Sequence, residues 1–262
     1  MTEDEVRALL DGYQAWNRRE SGVLEELLAP EIEWEPGPRA LEAGVHHGAE
    51  GFQGFVDSWI ESFDDFHIEP ELLIQAGDRV IVVARQHGRG QGSGIELEVR
   101  VVHVWTVVGG KATRWWGPGS LDEALEALDD ERPGLALRGY EAFNRGEVDE
   151  ALALFDPDVV WHTYLVPGPG GGTYHGHAGV RELWADARNI FGDFRNEPER
   201  LIAAGDRLVV MVRICGWGKE SGVEVEAKIA HIHTFRNGRV VRVQSYEDRE
   251  EALRAVGVLD GD

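Results

Sequence analysis

Three polar side chains in the second half of this chain have the types and spacing for proton transfer. His162 directly follows Trp161 at the end of a short apolar run, and an unperturbed imidazole titrates near neutrality, where a proton acceptor works well. Glu226 and Lys228 stand two residues apart in an extended segment, so they share a face and can form an oriented ion pair that polarises a carbonyl. The plainer reading of that pair is a solvated surface contact, which is common and weak. His231 and His233 have the alternate spacing that can set two imidazoles on one metal. No neighbouring carboxylate or cysteine completes such a site, so neither a metal nor a cofactor is expected. The single cysteine, Cys215, excludes an intrachain disulfide and reads as an inert thiol in an apolar strand. The run Pro167 to Gly172 lacks the lysine and the strand-to-helix setting of a phosphate loop and reads as a flexible flap.

The elements that must position these groups occur twice. Gly12-Tyr13-Gln14-Ala15-Trp16-Asn17-Arg18 returns as Gly139-Tyr140-Glu141-Ala142-Phe143-Asn144-Arg145, and Ala76-Gly77-Asp78-Arg79 returns as Ala204-Gly205-Asp206-Arg207. Trp34 pairs with Trp161, His47-Gly48 with His175-Gly176, His103 with His231, and Glu123-Ala124-Leu125 with Glu251-Ala252-Leu253. The offset is 127 residues from Tyr13 to Tyr140 and 128 from Gly77 to Gly205. That period is too long for a solenoid and matches a whole small domain. Two domains, 1–131 and 132–262, are expected, joined through the charged, breaker-rich stretch Asp129 to Gly134.

Composition narrows the class. With 42% hydrophobic and 28% charged residues the chain is of ordinary globular type, and it holds no apolar run of the length a membrane span needs. The start Met1-Thr2-Glu3-Asp4-Glu5 lacks the basic and apolar regions of a secretory signal, so a soluble, cytoplasmic protein is expected. A net charge of −22, with basic residues scattered, disfavours nucleic acid and anionic membranes as partners.

Each half opens with helical spacing, Val6, Leu9, Leu10, Tyr13 and Trp16 in the first, and a second short helix is expected at Val23 to Leu28, ended by Pro30. A strand around Ile32 to Trp34 and a helix carrying Phe52, Phe55, Val56, Trp59, Ile60 and Phe63 come next. Extended segments follow at 66–75, 79–87, 95–107 and 111–116, with turns at Gly77-Asp78, Ser93-Gly94 and Gly109-Gly110, and a last helix spans 121–128. Helices first and strands afterwards imply an α+β domain with an antiparallel sheet. Ser120 and Asp248 read as N-caps of the closing helices.

The succession Tyr-x-Ala-Phe-Asn-Arg-Gly at 140–146, Phe155 to His162, Tyr174-His175-Gly176, Ala204 to Arg207 and His231-x-x-Thr234-Phe235-Arg236 resembles the SnoaL-like branch of the nuclear transport factor 2 superfamily across both halves. The resemblance implies two NTF2-like domains, each a curved antiparallel sheet wrapped around helices into a cone with an apolar cavity, packed as an intramolecular pseudo-dimer. It implies a small hydrophobic molecule as partner, and as activity either cofactor-independent cyclase or isomerase-type proton transfer or a non-catalytic carrier or sensor. The carboxylate that such isomerases and epoxide hydrolases project from the long strand aligns with Val102 and Ala230, so it is missing from both halves, and Arg100 or Lys228 would occupy the place of its orienting arginine.

Alternation on that strand sets Leu97, Val99, Val101, His103 and Trp105 on one face and Glu96, Glu98, Arg100, Val102 and Val104 on the other, and the second half repeats the pattern. The resemblance places the second set, with Glu226 and Lys228, on the cavity side. His103 and His231 would then point outward, toward domain packing. On this reading His162, Glu226 and Lys228 are the candidate catalytic groups. The candidate ligand contacts are Trp34, Arg100, Trp116, Trp161, Tyr164, His175, Trp217 and Tyr246, with core packing as the alternative fate of the tryptophans. The second half is the expected ligand-handling one.

Overall fold

Thr2 starts the first helix: its hydroxyl accepts from the Glu5 N–H at 3.2 Å, while the Glu5 carboxylate accepts from the Thr2 N–H at 2.8 Å. This reciprocal capping launches α1 (Glu3–Arg18), which turns Val6, Leu9, Tyr13 and Trp16 inward and ends on a left-handed Arg19. The computed structural model describes residues 1–20, 26–38, 44–164 and 172–259, and the chain forms two compact units, Met1–Asp129 and Asp130–Asp262.

After α1 the first unit runs β1 (Leu28–Glu35), β2 (His46–His47), α2 (Ala49–Glu61), β3 (His67–Ala76), β4 (Arg79–Arg89), β5 (Glu96–Val108), β6 (Lys111–Trp116) and α3 (Leu121–Glu126). The second runs α4 (Arg132–Arg145), α5 (Val148–Leu152), β7 (Phe155–Thr163), β8 (Gly172–His175), α6 (Gly176–Ile190), β9 (Phe191–Ala204), β10 (Arg207–Gly218), β11 (Glu224–Arg236), β12 (Arg239–Tyr246) and α7 (Arg249–Ala255). In the first unit the strands lie in the order β2-β1-β6-β5-β4-β3, and in the second in the equivalent order β8-β7-β12-β11-β10-β9. All pairings within each unit are antiparallel except β1 with β6 and β7 with β12.

The expected second helix is corrected in part. Residues 21–25 lie outside the described residues, and Leu28 and Pro30 belong to β1. Pro30 has no N–H for a ladder, and the β1–β6 register shifts between Leu28 and Glu33, which accommodates it. The second unit does form the short helix, as α5.

The sheet faces are the larger correction. Leu97, Val101 and Trp105 pack with Leu9, Tyr13, Trp16 and Phe52 of the helices, so the face that carries His103 looks at α1 and α2. In the second unit Phe143, Trp161, Val180, Trp184 and Val243 form the corresponding cluster. The opposite face of that unit holds Ile202, Met211, Ala230 and Ile232 under Ala252 and Leu253 of α7, and farther along β11 it is exposed at Glu224, Glu226 and Lys228. Burying an unpaired ionised group is costly, so the charged set takes the solvent and the apolar set takes the helices. His103, His231 and His233 are among the polar side chains on the helix side, and each is hydrogen-bonded there.

Candidate ligand-binding site

A half-open cavity lies in the second unit on the helix side of its sheet. Its volume is about 450 Å³ counting the mouth, of which the centre of a water molecule can reach about 30 Å³. Phe143, Phe155, Trp161, Trp184, Phe235 and Val240 supply its aromatic and apolar walls. The α4 side is made by Leu135, Ala136 and Gly139, and a Cβ on Gly139 would stand 2.5 Å from Leu154 Cδ1, so glycine permits this close approach. Tyr140, Asn196 and His233 are the polar side chains of the lining.

These polar groups are tied into one network. The Tyr140 hydroxyl lies 2.7 Å from His231 Nδ1 and 3.3 Å from His233 Nε2, and the three rings are nearly coplanar stacks, with interplanar angles of 9° and 15° to Tyr140. His231 is 3% and His233 4% exposed. Loss of water pushes the His233 imidazole down to about 4, and burial with the neighbouring His233 pushes His231 down to about 3. Burial drives the Tyr140 phenol upward. All three are therefore neutral near pH 7. Their remaining ring nitrogens, His231 Nε2 and His233 Nδ1, and the Asn196 Oδ1 are buried with no hydrogen-bond partner among the described residues.

Most of the residues singled out from the sequence lie elsewhere. Trp161 is buried in the cavity wall, with its indole N–H donating to Ser245 Oγ at 3.3 Å. Trp34 is buried at the same position of the first unit, stacked 4.3 Å from His46. Glu226 and Lys228 are exposed on the face away from the cavity, which corrects their expected placement. His162, half-buried, points away from the helices because its neighbour Trp161 points toward them, and its Nδ1 meets Thr173 Oγ1 at 3.0 Å. Arg100 pairs with Glu71 at 2.9 Å on an exposed surface. Trp116 pairs across the strands with Val104, on the side opposite Trp105 and Trp115. Tyr246 packs into the cluster under α7. His175 is exposed at the start of α6, and Trp217 is 46% exposed at the end of β10. Tyr164 follows β7; burial, and then the Glu247 carboxylate, raise its phenol to about 12. The flap residues 167–171 lie outside the described residues.

The central residues, Tyr140, His231 and His233, were passed over as a group. The repeat carried a signal for them: the Tyr13 hydroxyl lies 2.8 Å from His103 Nδ1, so the same tyrosine–histidine contact occurs in both units. His103 and His231 thus bond within their own units to the first helix, contrary to the outward orientation expected of them. Among the described residues no cluster of three His, Cys, Asp or Glu side chains is arranged to hold a metal ion, and no helix is long and apolar enough to cross a membrane.

A sheet with one parallel pair and helices against one face, present twice, defines a tandem α+β protein. The chain belongs to the SnoaL-like domain family, which matches residues 6–115 and again residues 136–243. An NTF2-like protein of unknown function from Burkholderia pseudomallei is similar in structure: 29% identity, 48% of this chain, 98% of that chain, TM-score 0.42. TerC, co-crystallised with polyporic acid, is 26% identical over 48% of this chain and 98% of its own, with a TM-score of 0.40. An NTF2-like protein from Burkholderia xenovorans is 26% identical over 48% and 95%, with a TM-score of 0.39. Each of these spans about one half of the chain. No curated protein matches the sequence.

Proposed function

We propose that the second unit binds a small, largely apolar molecule in the cavity beneath α4, and that the protein acts as a carrier or sensor of that molecule. The observation that supports this reading is an aromatic cavity whose lining includes a buried histidine with a ring nitrogen unpartnered among the described residues. Small-molecule sites have this composition, apolar and aromatic walls with a few convergent polar groups.

Binding is favoured over proton transfer for two reasons. No carboxylate is among the described residues that line the cavity. The lining imidazole, His233, is pushed down to about 4, and His231, bonded to the same Tyr140 hydroxyl, to about 3, both far from the neutral range in which a general base is effective. His162, Glu226 and Lys228 do not share the cavity with them.

The test is calorimetric titration of the intact chain with small aromatic and alicyclic compounds, beside an Ala136→Leu variant that fills the cavity from α4. Saturable binding by the parent, weakened roughly ten-fold or more by the added side chain, is expected, since about 1.4 kcal/mol corresponds to a factor of ten. Binding unaffected by Ala136→Leu, or none with any compound, defeats the proposal. Turnover of a cyclic ketone with a pH profile centred near neutrality would replace the carrier by an enzyme.

A further inference from the structure

The ligand chemistry can be narrowed by counting protons, on the basis of the binding site proposed above. In the first unit the Trp105 indole N–H donates to the Tyr13 hydroxyl oxygen at 3.0 Å. An indole nitrogen can only donate, so the single proton of the Tyr13 hydroxyl is free to be given to His103 Nδ1, 2.8 Å away. We take that polarity, with His103 Nδ1 as the acceptor.

The second unit repeats this arrangement with one substitution. Tyr140 and His231 stand where Tyr13 and His103 do, with a contact of 2.7 Å, and His233 takes the place of Trp105. With the same polarity, the Tyr140 hydroxyl donates to His231 Nδ1 and its oxygen accepts from His233 Nε2. A neutral imidazole that carries its proton on Nε2 has a bare lone pair on Nδ1. His233 Nδ1 is buried without a partner among the described residues, and the side chain lines the cavity. Asn196, in the same lining, leaves its Oδ1 equally unpartnered. Its backbone is held in place by Asn144, whose side chain donates to the Asn196 carbonyl at 2.8 Å and accepts from its N–H at 2.9 Å.

We infer that this cavity selects ligands that donate hydrogen bonds, compounds with an apolar body and a hydroxyl or N–H group directed at His233 Nδ1 and Asn196 Oδ1. A carbonyl or ether of the same shape brings only lone pairs, which face lone pairs here and leave both acceptors unsatisfied.

Phenol and anisole separate the possibilities, because they share a ring and differ in whether the oxygen carries a proton. Titrated into the intact chain, phenol is expected to bind roughly ten-fold more tightly than anisole, the scale of one buried hydrogen bond. In His233→Leu that preference should shrink to about two-fold or less while anisole still binds. Equal or tighter binding of anisole by the parent overturns the donor rule and leaves the cavity as a purely apolar site. Binding of neither compound removes the binding site itself. The nitrogen-15 spectrum of the His233 ring in the free protein gives a second readout that needs no variant: an unprotonated Nδ1 supports the inference, and a protonated Nδ1 overturns it.

Discussion

The two units share a frame and differ in how they fill it. In the first, Trp16, Trp105 and Trp115 interlock with Tyr13 and Phe52, with ring centroids 4.9 Å apart for Tyr13 and Trp16 and 5.4 Å for Phe52 and Trp115. The equivalent positions in the second are Phe143, His233 and Val243, all smaller, and the cavity opens beside them. Polarity differs as well. Among the described residues, the unpartnered groups within the first aromatic cluster include the indole N–H groups of Trp16, Trp34 and Trp115, all donors, whereas the second unit leaves Asn196 Oδ1, His233 Nδ1 and His231 Nε2 unpartnered. A few exchanges at equivalent positions thus replace interlocking rings by smaller side chains beside the cavity.

Acid should separate the units most. His231 and His233, with folded values of about 3 and about 4, belong to the second unit, and His103, at about 4, belongs to the first. These values lie below the unfolded value of 6.5. Above pH 6.5 both states are neutral and nothing is lost. As the pH falls from 6.5 toward 4 only the unfolded chain takes up protons, so stability declines, by roughly 3 kcal/mol per imidazole at pH 4. The second unit carries two such groups and should open first. Limited proteolysis with an acid-active protease at pH 4.5, with the fragments mapped, checks this. Early cleavage within the first unit would break the comparison.

Removing the bridging hydroxyls gives a smaller contrast. Tyr13→Phe leaves the Trp105 N–H and His103 Nδ1 without their partner in a tightly packed interior, at a cost of about 1–3 kcal/mol per stranded group. Tyr140→Phe strands the same kinds of group beside a cavity that can admit water, so its penalty should be milder by about 1 kcal/mol. Denaturant titration of the two variants measures the difference. An equal or larger loss for Tyr140→Phe would mean that the second interior excludes water as completely as the first.

Much of this frame was legible in the letters. The duplication, the strand boundaries and the turns at Gly77-Asp78 and Gly109-Gly110 follow from repeated spacing and from glycines that adopt positive φ. The site was legible only in part. Trp161 lies in the cavity wall, but strand alternation sorts residues into two faces without saying which face meets the helices. The alternating charges Glu96, Glu98 and Arg100, and Glu224, Glu226 and Lys228, take the solvent side, whereas the family resemblance set that face toward the cavity and so turned the histidines outward. What makes them tolerable in the interior is a hydroxyl on a helix 90 residues earlier in the first unit and 91 in the second, a contact that local pattern does not display.

The closing helices supply the smallest test, because there the two units do the same job with different residues. Ser120 Oγ accepts from the Glu123 N–H at 3.2 Å, and an Asp248 carboxylate oxygen accepts from the Glu250 N–H at 2.8 Å. Replacement of such a cap by alanine costs about 1 kcal/mol. Asp248 also places a negative charge at the helix N-terminus, which adds a few tenths of a kcal/mol, and α7 covers Ile202, Met211 and Ala230 through Ala252 and Leu253. At the other end Glu123 still accepts from the Gly119 N–H at 2.9 Å and holds the start of α3 when Ser120 is changed. Asp248→Ala should therefore lower the melting temperature more than Ser120→Ala. The reverse order would mean that α3 carries more of its unit's stability than its single buried residue, Ala124, implies.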